Sequence, residues 1–319
     1  IKKMEDDRAD LVSAIVKYNC TEMARSGLND AMDVLGGAAI SEGPRNLVAK
    51  SYKAAPIAIT VEGANILTRT MIVFGQGAIR CHPYAYKQVI AVGNKDTKSF
   101  DEAFSGHVGH IVKNTCRSLL FSLTRGRLAT SPSGPFKRYQ QKLIWASSSF
   151  AILSDIAMGA LGGKLKIKEK LTGRFADILS WLYLTSAVIR RYEAEGSKEM
   201  EDIARYSCEY GLCKIQEAFD GIYANFDVPV LNLVFKGVGV WSRFNALSSG
   251  PKDSLGTKVS QMMMTPGEGR NKLTAGVIYD EKSNVARIEK AFELAVQSKD
   301  ILKMKSNKKF YDQRQIYTK

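Results

Sequence analysis

Residues 167–195 read IKEKLTGRFADILSWLYLTSAVIRRYEAE. Phe175, Ile178, Leu179, Leu182, Ser186 and Ile189 recur three and four residues apart, which puts them on one face of a helix. The segment therefore predicts one long amphipathic helix. Residues 136–161 and 198–224 on either side show the same periodicity, and residues 100–125 are also predicted helical. The stretch 129–135 (ATSPSGP) breaks the pattern, because Pro and Gly interrupt helical backbone.

Working outward, Leu11, Ala14, Ile15 and Tyr18 begin a predicted helix over 8–35, and Leu28, Ala31, Met32 and Leu35 continue it. Gly36-Gly37 closes it, since glycine accepts the left-handed conformation at a helix C-terminus. Residues 38–56 hold Gly43, Pro44 and Pro56 and read as loop plus a short helix. Residues 57–61 (IAITV) are β-prone, yet helical spacing resumes at once over 64–75. Residues 83–99 read as a helix and a polar linker. Residues 246–256 and 265–272 read as Gly/Ser/Pro-rich loops, and a last helix is expected over 283–303 before a basic tail. No segment alternates with period two long enough to build a sheet. The fold class expected is all-α, in helical bundles.

Composition bounds the function. The chain has 319 residues, 45% of them hydrophobic and 24% charged, with 46 Lys and Arg against 32 Asp and Glu, a net charge of +14. Disordered, collagen-like and disulfide-scaffold classes are excluded. Five scattered cysteines fit a reducing compartment, and residues 1–10 are too charged for a secretory signal. Cys208 and Cys213 have no second pair to complete a zinc site. The positive charge admits an anionic membrane face or phosphate-bearing small molecules. Nucleic acid is not expected, because no zinc-finger spacing is present and aromatics do not interleave the basic runs. The apolar stretch 143–163 carries Asp155 and several serines and reads as a buried helix rather than a membrane span. Residues 228–241 are too short to span, and read as core or as a surface helix on a membrane.

Generic motifs are weak. Gly75-Gln-Gly77 lacks the third glycine and the strand of a dinucleotide site. His107 and His110 could share a helix face, but no third ligand stands at matching spacing, so no metal is expected. Cys81 and His82 are chain neighbours and a poor nucleophile–base pair. Glu62 differs from these. It sits between apolar Ile57–Val61 and the helix opening at Gly63-Ala64-Asn65. A desolvated carboxylate has a raised pKa suited to a general base, and the following glycine leaves room for a substrate. A carboxylate favoured by a helix N-terminus is the alternative reading of the same residue.

Three stretches carry a resemblance. Asp33-Val-Leu-Gly-Gly37, residues 58–69 (AITVEGANILTR) and residues 74–83 (FGQGAIRCHP) are similar to the C-terminal helical domain of the acyl-CoA dehydrogenases. The last, with residues 161–166 and 174–191, resembles the long-chain proteobacterial branch, which continues into a helical extension. The resemblance covers nearly the whole chain. It implies a C-terminal core domain over 1–95 and an extension over 96–319. It also implies Glu62 as the base that removes the α-proton of an acyl-CoA while the β-hydrogen leaves as hydride to FAD. Gly36, Gly37 and Asp33 match the FAD-contacting segment, and Gly63 adjoins the substrate. Electron-transfer flavoprotein as electron acceptor, a homo-oligomer and a place in cytoplasmic fatty-acid β-oxidation follow from the same resemblance. The chain starts at Ile1, inside the last bundle of that core. The flavin-ring pocket and much of the acyl-CoA site are therefore expected upstream, and the chain alone is expected to be inactive. A non-catalytic helical module for oligomerisation or membrane docking is the competing reading.

Overall fold

The computed structural model describes residues 7–43, 46–61, 63–277 and 280–298. It is 81% helical, with twelve helices and no strand among the described residues. They are α1 (Asp7–Leu35), α2 (Ala49–Thr60), α3 (Asn65–Arg80), α4 (Ala85–Gly93), α5 (Thr97–Thr124) and α6 (Lys137–Leu161). There follow α7 (Glu169–Glu195), α8 (Glu201–Asn225), α9 (Pro229–Phe244), α10 (Asp253–Met263), α11 (Glu268–Thr274) and α12 (Asn284–Gln297).

Two compact units emerge: Ile1–Gly27 with Ala54–Lys252, and Leu28–Lys53 with Asp253–Lys319. The boundary expected at residues 95–96 falls inside the first unit. The reason is packing: α4 lies against α5, and α3 lies against α7, so the segment before residue 95 shares its core with the segment after it. That core is aromatic at its centre. Phe74 of α3 stacks on Phe175 of α7 with ring centroids 4.5 Å apart, and Phe150 of α6 meets both edge-on at 6.1 and 6.2 Å. Ile15, Ile178, Leu212, Ile215 and Ile222 extend the cluster across α1, α7 and α8. In the second unit Arg270 of α11 pairs with Glu289 of α12 (Nη2 to Oε2 2.9 Å), and the Arg270 guanidinium lies 4.5 Å over the Phe292 ring.

Several local expectations are corrected. The β-prone IAITV run is the end of α2, and Pro56 lies inside that helix. No strand stands beside it among the described residues, so extended backbone would leave its N–H and C=O groups unpaired, whereas a helix satisfies them internally. The loop plus short helix expected over 38–56 is present, as a 3-10 turn over Gly36–Ile40 and the start of α2. The loop expected over 265–272 gives way to α11 from Glu268. Residues 299–303, expected to end the last helix, lie outside the described residues.

Lys137–Ile167 is the one unbroken helical stretch among the described residues long and apolar enough to cross a membrane. Its Leu143, Ala146, Leu153, Ala157 and Leu161 are nevertheless buried in the first unit's core. Cys208 is buried too, and burial pushes its thiol up to about 12, as for an inert core residue. Removing the stacked ring should be costly. Phe175→Ala is expected to destabilise the first unit by about 3–5 kcal/mol, read as a lower denaturant midpoint at unchanged slope.

Candidate active site

The turn between α2 and α3 is built by its sequence neighbours. Glu62 itself lies outside the described residues. Gly63 follows with φ +96°, in the left-handed region where a side chain is strained. Its carbonyl accepts a hydrogen bond from Lys17 Nζ at 2.7 Å, and the same ammonium donates to Asn65 Oδ1 at 2.7 Å. Asn65 is buried, and its amide donates to Thr21 Oγ1 (2.9 Å) and Glu22 Oε1 (2.8 Å). Lys17 and Thr21 lie one turn apart on α1, and Glu22 follows Thr21. Three polar side chains of α1 thus hold the start of α3, immediately after position 62. Sequence reasoning missed all four.

One turn further along α3, Arg69 donates from Nε to Asp177 Oδ1 of α7 at 2.7 Å and from Nη2 to Oδ2 at 2.5 Å, a bidentate pair about three-quarters buried. Hydrogen bonding to Asp177 raises the Arg69 pKa further. Burial, with the Asp177 charge beside it, pushes the Tyr18 hydroxyl up to about 12. Gly173 makes room for the pair: a Cβ there would stand 2.6 Å from Arg69 Nη1. From Thr68 to Gln76, α3 winds as a wide π-type helix, a form common near functional sites.

Asp33, Gly36 and Gly37 belong to the second unit and Gly63 to the first, so each is described in its own surroundings. Asp33 is exposed near the end of α1. Gly36 has φ +57°, and nothing lies within 4 Å of where a Cβ would stand on either glycine. The backbone at both glycines is exposed and unobstructed. Asn46, also missed, organises it. Its amide donates to the carbonyls of Ala39 (2.8 Å) and Ser41 (2.9 Å), while its Oδ1 accepts the N–H of Val48 and Ala49 and so caps α2. His107 and His110 do lie together on α5, where they meet His82 and Asp155.

Sequence comparison gives the family. The model of the bacterial-type acyl-CoA dehydrogenase C-terminal domain matches residues 79–315, and that of the general acyl-CoA dehydrogenase C-terminal domain matches residues 1–75. The chain belongs to the acyl-CoA dehydrogenase family, as its C-terminal part of bacterial type. The two matches meet within α3, the helix that follows Gly63. No solved structure matches the chain.

The Arg69 clamp is testable through glycine. Gly173→Ala should displace the guanidinium and destabilise by about 1–3 kcal/mol. Gly159→Ala, on α6 with nothing within 4 Å of its new Cβ, should be neutral or stabilising by about 0.5–1 kcal/mol. Chemical denaturation of both variants compares them directly.

Proposed function

We propose that this chain carries the catalytic base, Glu62, of an FAD-dependent acyl-CoA dehydrogenase. The full protein converts medium- and long-chain acyl-CoA to trans-2-enoyl-CoA, the first step of fatty-acid β-oxidation. The observation that carries the reading is the anchored Gly63 turn. A base acting on a very weak carbon acid needs fixed placement, and Lys17 and Asn65 pin the backbone one to three residues beyond it. Gly63 adds no side chain between the base and a substrate. Glu62 takes the α-proton, and its backbone N–H is one of the donors that polarise the thioester carbonyl. FAD, when bound, supplies the hydride acceptor. Gly36 and Gly37 present backbone to its adenosine-diphosphate portion, with Asp33 on the same segment.

The working enzyme is a cytoplasmic homo-oligomer that passes electrons to an electron-transfer flavoprotein. The test uses the full-length protein with palmitoyl-CoA and an artificial electron acceptor. Glu62→Gln is expected to lower turnover by about 10²–10⁴-fold while acyl-CoA still binds. Wild-type turnover in that variant overturns the assignment.

A second reading concerns α9 and can hold beside the first. Val230, Leu233 and Phe244 are 78, 77 and 79% exposed, and Trp241 shares their face, with Lys236 and Arg243 exposed on the same helix. An amphipathic helix of this kind suits an anionic membrane surface, and so makes the enzyme peripheral at the inner face of the cytoplasmic membrane. Flotation with anionic vesicles should recover the protein, neutral vesicles should recover less, and Leu233→Ser with Phe244→Ser should abolish the difference. Equal recovery by both vesicle types, or by neither, removes this docking role.

A further inference from the structure

The chain has three histidines in 319 residues, and the fold brings all three to one carboxylate. His82 stands in the turn before α4, His107 and His110 lie one turn apart on α5, and Asp155 comes from α6. The His82 ring centroid is 4.6 Å from that of His107 and 5.2 Å from that of His110. Asp155 Oδ1 is 3.0 Å from His82 Nε2 and 3.3 Å from His107 Nε2. One donor atom each from His82, His110 and Asp155 all lie within 4.8 Å of one another.

The Asp155 and His82 side chains are buried, and the cluster is incompletely satisfied. The side chain of Asp155 is 5% exposed and that of His82 8%. Asp155 Oδ2 has no hydrogen-bond partner. His82 Nε2, although close to Oδ1, is not aligned with it as a donor. Among the described residues, histidines are the ion-pair partners of Asp155, and no Lys or Arg pairs with it. A buried carboxylate with an open oxygen calls for a compensating positive charge.

We propose that His82, His110 and Asp155 bind a divalent transition-metal ion of the zinc class, with His107 as a third imidazole beside it. Imidazole donors with one carboxylate select this class over magnesium or calcium, which prefer all-oxygen shells. Three of these residues leave a coordination position for water or an exogenous donor. A largely apolar cavity of about 620 Å³, into which His107 and Asp155 face, gives access to it. Carboxamides sit on the other side of two rings: Gln88 Oε1 is 3.2 Å from His107 Nδ1, and Asn114 Nδ2 is 2.9 Å from His110 Nε2. A carboxamide can turn either end to its ring, so these side chains can follow the tautomer that metal binding selects.

His82 is the costliest donor. Its Nδ1 accepts the N–H of Tyr84 (3.2 Å) and Ala85 (2.9 Å), so the neutral ring keeps its proton on Nε2. Coordination through Nε2 moves that proton to Nδ1 and loosens the two amide contacts, with no net proton release from His82. The site should therefore bind less tightly than a structural zinc centre.

The experiment uses the full-length protein, stripped with chelator and brought to equilibrium by dialysis against Zn²⁺, with metal measured by elemental analysis. Co²⁺ serves as the spectroscopic probe. The proposal expects one equivalent of Zn²⁺ more in the wild type than in Asp155→Asn, and Co²⁺ d–d bands that Zn²⁺ displaces. His110→Gln should weaken binding at least about tenfold. Circular dichroism checks that each variant is folded, and His110→Gln decides the matter if Asp155→Asn is not. No saturable binding in the wild type, or equal binding in a folded variant, overturns the site and shows a hydrogen-bonded core cluster only. Neither readout depends on dehydrogenase turnover, so failure here leaves the role of Glu62 standing.

Discussion

The contact between α3 and α7 ties the helix after Gly63 into the core of the first unit. It has two parts of different character. Phe74 on Phe175 supplies buried apolar area with a fixed stacking geometry, and Arg69 on Asp177 supplies a directional, bidentate ion pair one turn nearer to Gly63. The stack resists separation of the helices. The ion pair resists sliding, because a fork of two parallel hydrogen bonds fixes both partners. A partly buried pair of this kind adds little net stability, so its contribution is chiefly registry. Registry is what the proposed role of Glu62 requires of the helix that follows it.

This contact also explains why no clean boundary separates a catalytic domain from an extension. The helix that begins after Gly63 is shared. Its first turn is held by Lys17, Thr21 and Glu22 of α1, and its middle by α7, from the middle of the sequence. The two family matches meet on this same helix. Glu169–Glu195 (α7) is therefore structural support for the position of α3.

The architecture was largely legible because it rests on periodicity. The Phe175–Ile189 stripe, the Gly36-Gly37 stop and the 129–135 break each act within a few residues of sequence, and the structure follows them. IAITV misled for a physical reason: β-propensity measures fit to a neighbouring strand, and no strand is present among the described residues to receive it. Asn46 and Asn65 were illegible for another reason. Each is an ordinary polar residue until the fold brings carbonyls and amide N–H groups to it from distant turns. The Gly63 position was legible through the motif around it, whereas the α1 residues that anchor it lie more than forty positions away.

The histidine cluster is the clearest case of this limit. Spacing along α5 puts His107 and His110 on one face, and spacing can say no more. The remaining members come from the turn at His82, fixed by its ring nitrogen accepting the first N–H groups of α4, and from α6, whose apolar sequence carries Asp155 into the interior. An acidic residue in so apolar a helix argues against a membrane span and, by the same physics, for a partner inside the fold. Its carboxylate meets the imidazoles of His82 and His107 there, at 3.0 and 3.3 Å. The side chain that counted against membrane insertion is the one that organises the chain's histidines.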